Sequence, residues 1–415
     1  MNRLLNLSVL SLGLTLGAAQ AASSLSDVTW TQDADTRQVT CTYTLTGDAA
    51  LVTAEVLVAG EPIDSAHLGS FIGDVNRVIA ASEGHWLSWR PDKAWPGDPQ
   101  AVTLRLKATA PEDGPAYLVV DLSADRLGDV RYFASAAALP YGGLTNDVYR
   151  TEKLVLRRIP AAGVLWNMGS PATEAGRSAE EVQHRVVLTK DYWMAVFETT
   201  QAQYLRVTGK NPTHSANVDP LNPVDNVFGC IRDKDAATAT DETFNDGAFC
   251  TTAPAEGSFL GVLRAKTGLD FDLPTEAQWE YACRAGTTSA YNNGNDKLPV
   301  AGIGNFKDTN GAADTGTSHC VGSLAPNAWG LYDLHGNVWE WCRDSYVAAS
   351  YGFASLEGVL TDPLCTEDAE SNYRVRRGGS YREEASAGRS ARRYYWNSSF
   401  QGTGFRVICT GAVTK

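Results

Sequence analysis

The stretch 330–341, GLYDLHGNVWEW, carries the residues best placed to do chemistry. Two tryptophans flank Glu340, and Gly336 permits a sharp turn just before them. A carboxylate beside such apolar surfaces is partly desolvated, so it needs a backbone donor, an arginine or a bound cation as its partner. Asp333 and Glu340, with backbone carbonyls from the turn between them, would suit a hard cation that prefers oxygen ligands. The alternative is a hydrogen-bonded turn that the two tryptophans pack, with no ligand.

The N-terminus has the features of a secretory signal peptide. Arg3 supplies the positive charge, residues 4–16 the apolar region, and residues 19–21 (AQA) a small-residue cleavage site. We therefore expect residues 1–22 to be removed near Ala21 and the protein to be exported, to the periplasm or the extracellular space. No other run is apolar enough to span a membrane. The net charge of -13 disfavours nucleic acid and anionic membranes as partners.

All eight cysteines follow the expected cleavage site, and none forms a CxxC pair. An exported chain can oxidise them, and an even number permits four disulfides. The pairs we expect are Cys230 with Cys250, which would close a polar loop, and Cys342 with Cys365.

The first part of the chain has the two-residue alternation of half-buried strands. The segments with this pattern are 38–45, 51–58, 101–107 and 117–122. They predict a small all-β sandwich of immunoglobulin or fibronectin-III character over residues 23–124. Residues 125–150 are predicted to be a linker. No cluster of chemically active residues occurs here, so this part is interpreted as a spacer or docking module.

The C-terminal part has little helix periodicity. Two short helices are predicted at 200–208 and 275–284, each opened by a Thr-x-x-Gln capping box. So little helix is far below the average of ~30% for globular domains. Such a domain must be held by loop packing, aromatic burial, disulfides and ions.

Four motifs occur in order in this part: 273–286 (LPTEAQWEYACRAG), 330–341, 377–380 (RGGS) and 404–406 (GFR). Together they resemble the formylglycine-generating enzyme (sulfatase-modifying factor) superfamily. The resemblance covers about residues 151–415. It implies an irregular α+β fold related to C-type lectins, with the β-sandwich preceding it.

The resemblance also allows the copper-binding positions of the superfamily's oxidases to be compared with this sequence. Oxidases of the superfamily use O2 and a copper ion held by two cysteines five residues apart, shortly after the Gly-Gly-Ser. Soft thiolates select Cu(I). Ser380 matches this pattern, but the two cysteine positions hold Glu383 and Gly388. Copper is therefore not expected, and no catalytic residue is assigned.

Calcium is the cofactor that the resemblance implies. One site would use the side chains of Asp333 and Glu340 with the carbonyls of Gly336 and Val338. A second would use Asn305 and the carbonyl of Phe306, with Asp308 or Asp314 as a further ligand.

The loop 389–400 is rich in arginine and aromatic residues, which are common at recognition surfaces. The alternative is that its arginines pair with acidic groups in the core while its aromatic residues pack. The residues expected to bind a ligand are Ser380, Arg382, Glu383, Glu384, Tyr394, Tyr395, Trp396, Asn397 and Phe400.

These expectations favour an exported binding or accessory protein for a protein, peptide or glycan ligand. The alternatives are a formylglycine-generating oxidoreductase acting on sulfatases, another metal-dependent oxidase of the superfamily, or a structural cell-surface module.

Overall fold

The computed structural model describes residues 23–33, 35–98, 102–111, 115–213, 217–236, 253–296, 298–309, 316–353, 355–367 and 373–412. The predicted signal peptide lies outside these residues. The chain forms two compact units, Met1–Val119 with Val130–Tyr149 and Val120–Asp129 with Arg150–Lys415. Within the described ranges, every helix is too short or too polar to cross a bilayer.

The first unit contains two antiparallel sheets. Its strands are β1 (Ser24–Gln32), β2 (Val39–Thr46), β3 (Ala50–Val58), β4 (Glu61–Pro62), β5 (Ser70–Gly73), β6 (Arg77–Ile79), β7 (Ser82–Arg90) and β8 (Val102–Thr109). One sheet has the order β1-β2-β7-β5; in the other, β3 pairs with β4, β6 and β8. One cluster of buried side chains contains residues of both sheets, so their apolar faces share a core. The immunoglobulin or fibronectin-III assignment stays a prediction.

The predicted alternation is clear in β2, where Val39, Cys41, Tyr43 and Leu45 are buried and the residues between them are not. Such a period of two is what a strand needs when one face packs on a core and the other meets solvent. Strands β2, β3 and β8 were predicted from this pattern, whereas the other strands among β1–β8 were not.

The predicted linker, residues 125–150, contains regular structure. After β9 (Tyr117–Asp121), it has β10 (Val130–Phe133), two short 3-10 helices and the start of α1 (Val148–Thr151). Residues 130–149 group with the first unit.

The second unit has three small sheets and four further helices among its described residues. They are β11 (Lys153–Ile159), β12 (Leu165–Met168), β13 (His184–Val187), β14 (Tyr192–Ala195), α2 (Gln201–Thr208), α3 (Gly229–Arg232), α4 (Phe259–Thr267), β15 (Leu269–Asp272), α5 (Glu276–Arg284), β16 (Trp339–Ser345), β17 (Val359–Thr361), β18 (Arg374–Arg377), β19 (Tyr394–Trp396), β20 (Thr403–Gly404) and β21 (Ile408–Ala412). Strands β11-β14-β21-β15, β12-β13-β17 and β19-β18-β16-β20 are hydrogen-bonded in these orders.

Both predicted capping boxes are confirmed. The hydroxyl of Thr200 accepts from the Gln203 amide and that of Thr275 from the Gln278 amide, and both glutamines reach back to the cap. Each box satisfies amides that lack an intrahelical partner, so it fixes where the helix begins. The helix α4 was not predicted.

The sheet β19-β18-β16-β20 positions the motifs of the sequence analysis. Glu340 of β16 lies opposite Arg377 of β18, and Arg376 lies opposite Tyr394 of β19. Trp339 pairs in parallel with Thr403 of β20. Segments that lie up to 64 residues apart in sequence therefore meet at one sheet.

Candidate functional site

The turn before β16 depends on left-handed backbone conformations. Asp333, Gly336 and Asn337 all have positive φ. The Gly336 amide donates to the Gly378 carbonyl at 2.7 Å, and the Asn337 amide to the Asn305 carbonyl at 2.9 Å. A Cβ on Gly336 would lie 2.6 Å from the Asn305 oxygen, so only glycine fits.

Glu340 has an arginine as its partner. The guanidinium of Arg406 donates to both carboxylate oxygens, at 2.7 Å from Nε and 2.5 Å from Nη2. The indole of Trp279 adds a third hydrogen bond at 2.6 Å. Both charged groups are fully buried. Of the three partners that the sequence left open, the structure has the arginine.

Two further carboxylates lie near this pair, and neither forms an ion pair with any described residue. Glu198 is fully buried and accepts from the Asn337 side chain at 2.6 Å and the Val338 amide at 3.0 Å. Burial, then the charge of Asp333, raises the pKa of Glu198 well above its usual range. Burial raises the pKa of Asp333 to about 6, although one of its oxygens accepts from the Gly322 amide. Glu198 was not singled out from the sequence.

Of the calcium ligands expected at this turn, Asp333 and the two carbonyls suit a bound cation, whereas Glu340 does not. Asp333 and the carbonyls of Gly336 and Val338 belong to a turn with excess buried negative charge. The carboxylate of Glu340, in contrast, is already bound by a guanidinium and an indole N–H. A cation at Glu340 would have to compete with a buried positive charge, so Glu340 fits poorly as a ligand.

The second expected calcium site is also engaged in protein contacts. The Phe306 carbonyl accepts from the amide and hydroxyl of Thr309, and Asp308 accepts from the Ala385 amide at 2.7 Å. The Asn305 carbonyl accepts from Asn337. Asp314 lies outside the described residues. Within those residues, no group of three or more His, Cys, Asp or Glu side chains has a metal-binding arrangement.

The positions that would hold copper are filled differently. Ser380 is buried, and its hydroxyl donates to the carboxylate of Glu383. At Gly388 a Cβ would lie only 2.1 Å from Cζ of Phe306 and 3.0 Å from the Gly378 oxygen. A cysteine at position 388 therefore has no room, and these residues do not fit a copper dithiolate site.

The expected disulfides are not found among the described residues. Cys342 and Cys365 are both buried free thiols, so the pairing predicted for them is wrong in this structure. The prediction relied on an even number of cysteines, which does not by itself place two Cβ atoms within bonding range. Cys230 is buried, and its expected partner Cys250 lies outside the described residues, so that pairing stays a prediction.

Several arginines of the C-terminal part pair with buried carboxylates. Arg389 contacts Glu181 and Glu174, and Arg406 contacts Glu340. Arg392 is half-buried and lies 3.8 Å from Glu181. For these arginines, the interpretation as core partners is confirmed.

The aromatic residues of the same loop fall into two groups that have different packing partners. Tyr395 packs against Tyr346 and Tyr373, which places it with the main core cluster. Tyr394, Trp396 and Phe400 instead surround the guanidinium of Arg376, together with Trp339, at 5.0–5.5 Å from the ring centroids. The structure thus groups three of the expected ligand-binding residues around Arg376, whereas Tyr395 packs against core tyrosines.

The other expected ligand-binding residues lie beside this aromatic group or in solvent. Arg382 is exposed, lies over the Phe400 ring, and donates to the Gln401 side chain at 2.9 Å. Glu384 and Asn397 are exposed. Arg376 was missed by sequence reasoning, because nothing in the adjacent pair of arginines indicates that only one has a carboxylate partner.

Comparison with known proteins places this site in a family context. Residues 158–410 match the family model described as "Sulfatase-modifying factor enzyme 1-like domain". A formylglycine-generating enzyme of Thermomonospora curvata is 38% identical over 118 residues, which cover 26% of this chain and 38% of that protein. An "Inactive C-alpha-formylglycine-generating enzyme 2" of Bos taurus is 37% identical over 110 residues, covering 25% and 36%. The aligned segment thus spans well under half of either relative.

Solved structures also resemble this chain. Treponema denticola variable protein 1 has 22% sequence identity and a TM-score of 0.49, and the match covers 62% of this chain and 95% of that one. PvdO from Pseudomonas aeruginosa has 24% identity and a TM-score of 0.48, covering 62% and 94%.

Proposed function

Because the chain belongs to the Sulfatase-modifying factor enzyme 1-like domain family, we propose that it uses the family scaffold to bind a ligand and does not carry out copper-dependent oxidation. The observation that carries this proposal is the packing at Gly388. The Phe306 ring fills the space that a side chain at position 388 would need. A carboxylate, Glu383, stands at the other cysteine position.

The chemistry of the remaining thiols supports the same proposal. Burial raises the pKa of Cys283 to about 12 and that of Cys365 to about 12, and it raises the pKa of Cys342 well above its usual range. These thiols stay protonated at neutral pH, whereas Cu(I) binds thiolates. None of the three can replace the missing pair without a large change in its surroundings.

The binding surface in this proposal is the group formed by Tyr394, Trp396 and Phe400 around Arg376, with the exposed Arg382 beside it. Large aromatic side chains and arginine contribute most of the binding energy at many recognition sites. The ligand is a protein, peptide or glycan that the protein meets after export. A relative named as inactive supports a non-catalytic role within this family.

Copper and oxygen assays test this proposal directly. Purified protein lacking residues 1–22 is expected to bind no copper in competition with a Cu(I) chelator. We also expect no O2 consumption with a cysteine peptide taken from a sulfatase. A formylglycine-generating enzyme measured in parallel supplies the positive control. One tightly bound copper per chain with aldehyde formation on the peptide would overturn the proposal and establish the alternative, an oxidoreductase acting on sulfatases.

Calcium at the Asp333 turn belongs to the same proposal. Asp333 with the carbonyls of Gly336 and Val338 would hold the ion, and Glu340 would remain with Arg406. Bound there, Ca2+ would supply positive charge to Asp333 and Glu198, which have no cation partner in the described contacts. A second ion at Asn305 and Phe306 is supported less, since the Phe306 carbonyl already accepts two hydrogen bonds.

The pH dependence of stability tests this calcium site. The ordinary pKa of Asp is about 3.9, and that of Asp333 is raised to about 6. Between these values the folded state keeps a proton that the unfolded chain has lost. Without calcium, the free energy of unfolding should therefore fall as pH rises from about 4 to 6, by up to about 1.4 kcal/mol per pH unit.

Calcium should recover this loss at pH 7.5, where Asp333 must otherwise hold a buried charge. Thermal unfolding of the wild type with EDTA and with about 1–5 mM Ca2+ measures the gain. Asp333→Asn should reduce the pH slope, leaving the part that Glu198 contributes, and should lose the calcium response. The variant Glu357→Gln, at an exposed position, should keep both. A calcium response in Asp333→Asn equal to that of the wild type would remove this site.

A further inference from the structure

Arg376 is a buried guanidinium without a carboxylate partner among the residues that the structure describes. Arg376 is only 3% exposed, and its Nη1 donates to the Thr403 hydroxyl at 2.6 Å. Within the described part of the chain, its Nε has no acceptor. The buried arginines Arg377, Arg393 and Arg406 each contact a carboxylate within 3.0 Å.

The charge of Arg376 is stabilised chiefly by rings. The guanidinium carbon lies 5.0 Å from the ring centroids of Trp339 and Tyr394, 5.4 Å from Trp396 and 5.5 Å from Phe400. Cation–π contacts recover only part of the cost of removing an ion from water. Consistent with this, burial lowers the pKa of Arg376 to about 10, although Glu383 is near enough to oppose the shift.

Two indole groups in the same cluster also lack acceptors. Nε1 of Trp339, in a residue 2% exposed, and Nε1 of Trp396 are both buried without a hydrogen-bond partner in the described structure. Together with Nε of Arg376, these indoles make three buried N–H donors in one cluster for which the described residues supply no acceptor. Buried donors are rarely left in this state in native proteins.

We propose that the Arg376 cluster, defined as Arg376, Trp339, Tyr394, Trp396 and Phe400, binds an oxyanion carried by the ligand, a carboxylate or a sulfate ester. Guanidinium and indole N–H groups donate and cannot accept, so they select a ligand group that only accepts. This inference rests on the proposed binding function and names the chemistry that the ligand presents.

The surroundings of the cluster fit this ligand class. Tyr394 is 38% exposed, and Trp396 and Phe400 are half-buried, so these three rings form the solvent-facing side of the cluster and cover its buried donors. Arg382 lies over Phe400 and adds a second positive charge at that side. The carboxylate of Glu383, which acts electrostatically on Arg376, accepts from the Ser380 hydroxyl, so it has a partner other than Arg376.

Calorimetry and tryptophan fluorescence with three small probes test the proposal. Glucuronate and glucose 6-sulfate supply the two oxyanions on one ring, and glucose is the neutral match. We expect both charged probes to bind the wild type and to change its tryptophan emission, with glucose at least tenfold weaker. The stronger of the two charged probes identifies the source of the oxyanion.

Variants assign the effect to the cluster. Arg376→Met should weaken charged-probe binding at least tenfold, while Arg105→Met, which removes an exposed guanidinium in β8 of the first unit, should leave it unchanged. The melting temperature of probe-free Arg376→Met should stay equal or rise, because an unpaired buried charge is lost. If that variant does not fold, Trp396→Phe keeps a ring, removes one donor and should weaken binding severalfold.

Equal binding of glucose and glucuronate would overturn the proposal, as would unchanged affinity in both Arg376→Met and Trp396→Phe. Such a result would leave the copper and oxygen assays unaffected, so failure of this inference is distinguishable from failure of the proposed function.

Discussion

Arg406→Met is expected to lower the free energy of unfolding by about 3–5 kcal/mol, since removing one partner of a buried ion pair leaves the other charge unpaired. Arg406 binds both oxygens of Glu340 and also donates to the carbonyls of Ala195 and Tyr332. Its loss would leave Glu340 in the same region as Glu198, whose pKa is already raised by burial.

Denaturant unfolding at pH 7.5 with EDTA measures this effect without a contribution from calcium. Arg105→Met is the matched control, because Arg105 pairs with Glu55 at 3.0 Å on the surface, with the two side chains 61% and 44% exposed. Pairs of that kind contribute about 0–1 kcal/mol. The double variant Arg406→Met with Glu340→Gln should lose less stability than the sum of the single variants, since it removes both charges. A loss below about 1 kcal/mol for Arg406→Met would contradict the assignment of this pair as a structural centre.

Local patterns in the sequence were enough to predict much of the fold. The alternation in β2 and the capping boxes at Thr200 and Thr275 each specify a strand or helix from neighbouring residues alone. The helix α4 was not predicted, because Gly261, three residues after the cap Ser258, has no side chain to complete a capping box. Position 261 requires glycine, because a Cβ there would lie 1.9 Å from the Ala255 carbonyl oxygen.

The site depends on contacts that local patterns do not contain. Glu340 needed a partner, and the sequence left a backbone donor, an arginine and a cation open. Its partner, Arg406, lies 66 residues away in sequence, and the pairing of β16 with β20 brings the two segments together. Likewise, Arg376 and Arg377 are adjacent in β18, yet Arg377 meets Glu276 and Glu280 whereas Arg376 meets rings. Strand alternation predicts opposite faces, but what each face contacts is decided by other segments.

The packing around Phe306 explains why substituting cysteines at positions 383 and 388 is not expected to create a copper site. Its buried ring is approached so closely by Gly304, Gly336, Gly379 and Gly388 that a Cβ on any of them would lie under 3.0 Å from a ring carbon. The shortest of these distances, 2.1 Å, is at Gly388. Close packing of this kind leaves no free volume for one more carbon.

Gly388→Ala is therefore expected to lower the free energy of unfolding by about 1–3 kcal/mol, the usual cost of an extra carbon in a filled core. Gly302→Ala is the matched control, since a Cβ there meets nothing within 4 Å. It should be neutral or stabilising by up to about 1 kcal/mol, because alanine restricts the unfolded chain. Denaturant unfolding of both variants measures the difference.

Shortening the opposing ring separates a steric cause from other causes. Phe306→Leu removes the Cζ atom that a new methyl at position 388 would meet, so the double variant with Gly388→Ala should be more stable than additivity of the two single variants predicts. By the same reasoning, Glu383→Cys with Gly388→Cys should not gain tight Cu(I) binding unless Phe306 is also shortened. Tight copper binding by that pair of cysteines with Phe306 intact would mean that the ring moves aside readily, and the steric argument against a copper site would fail.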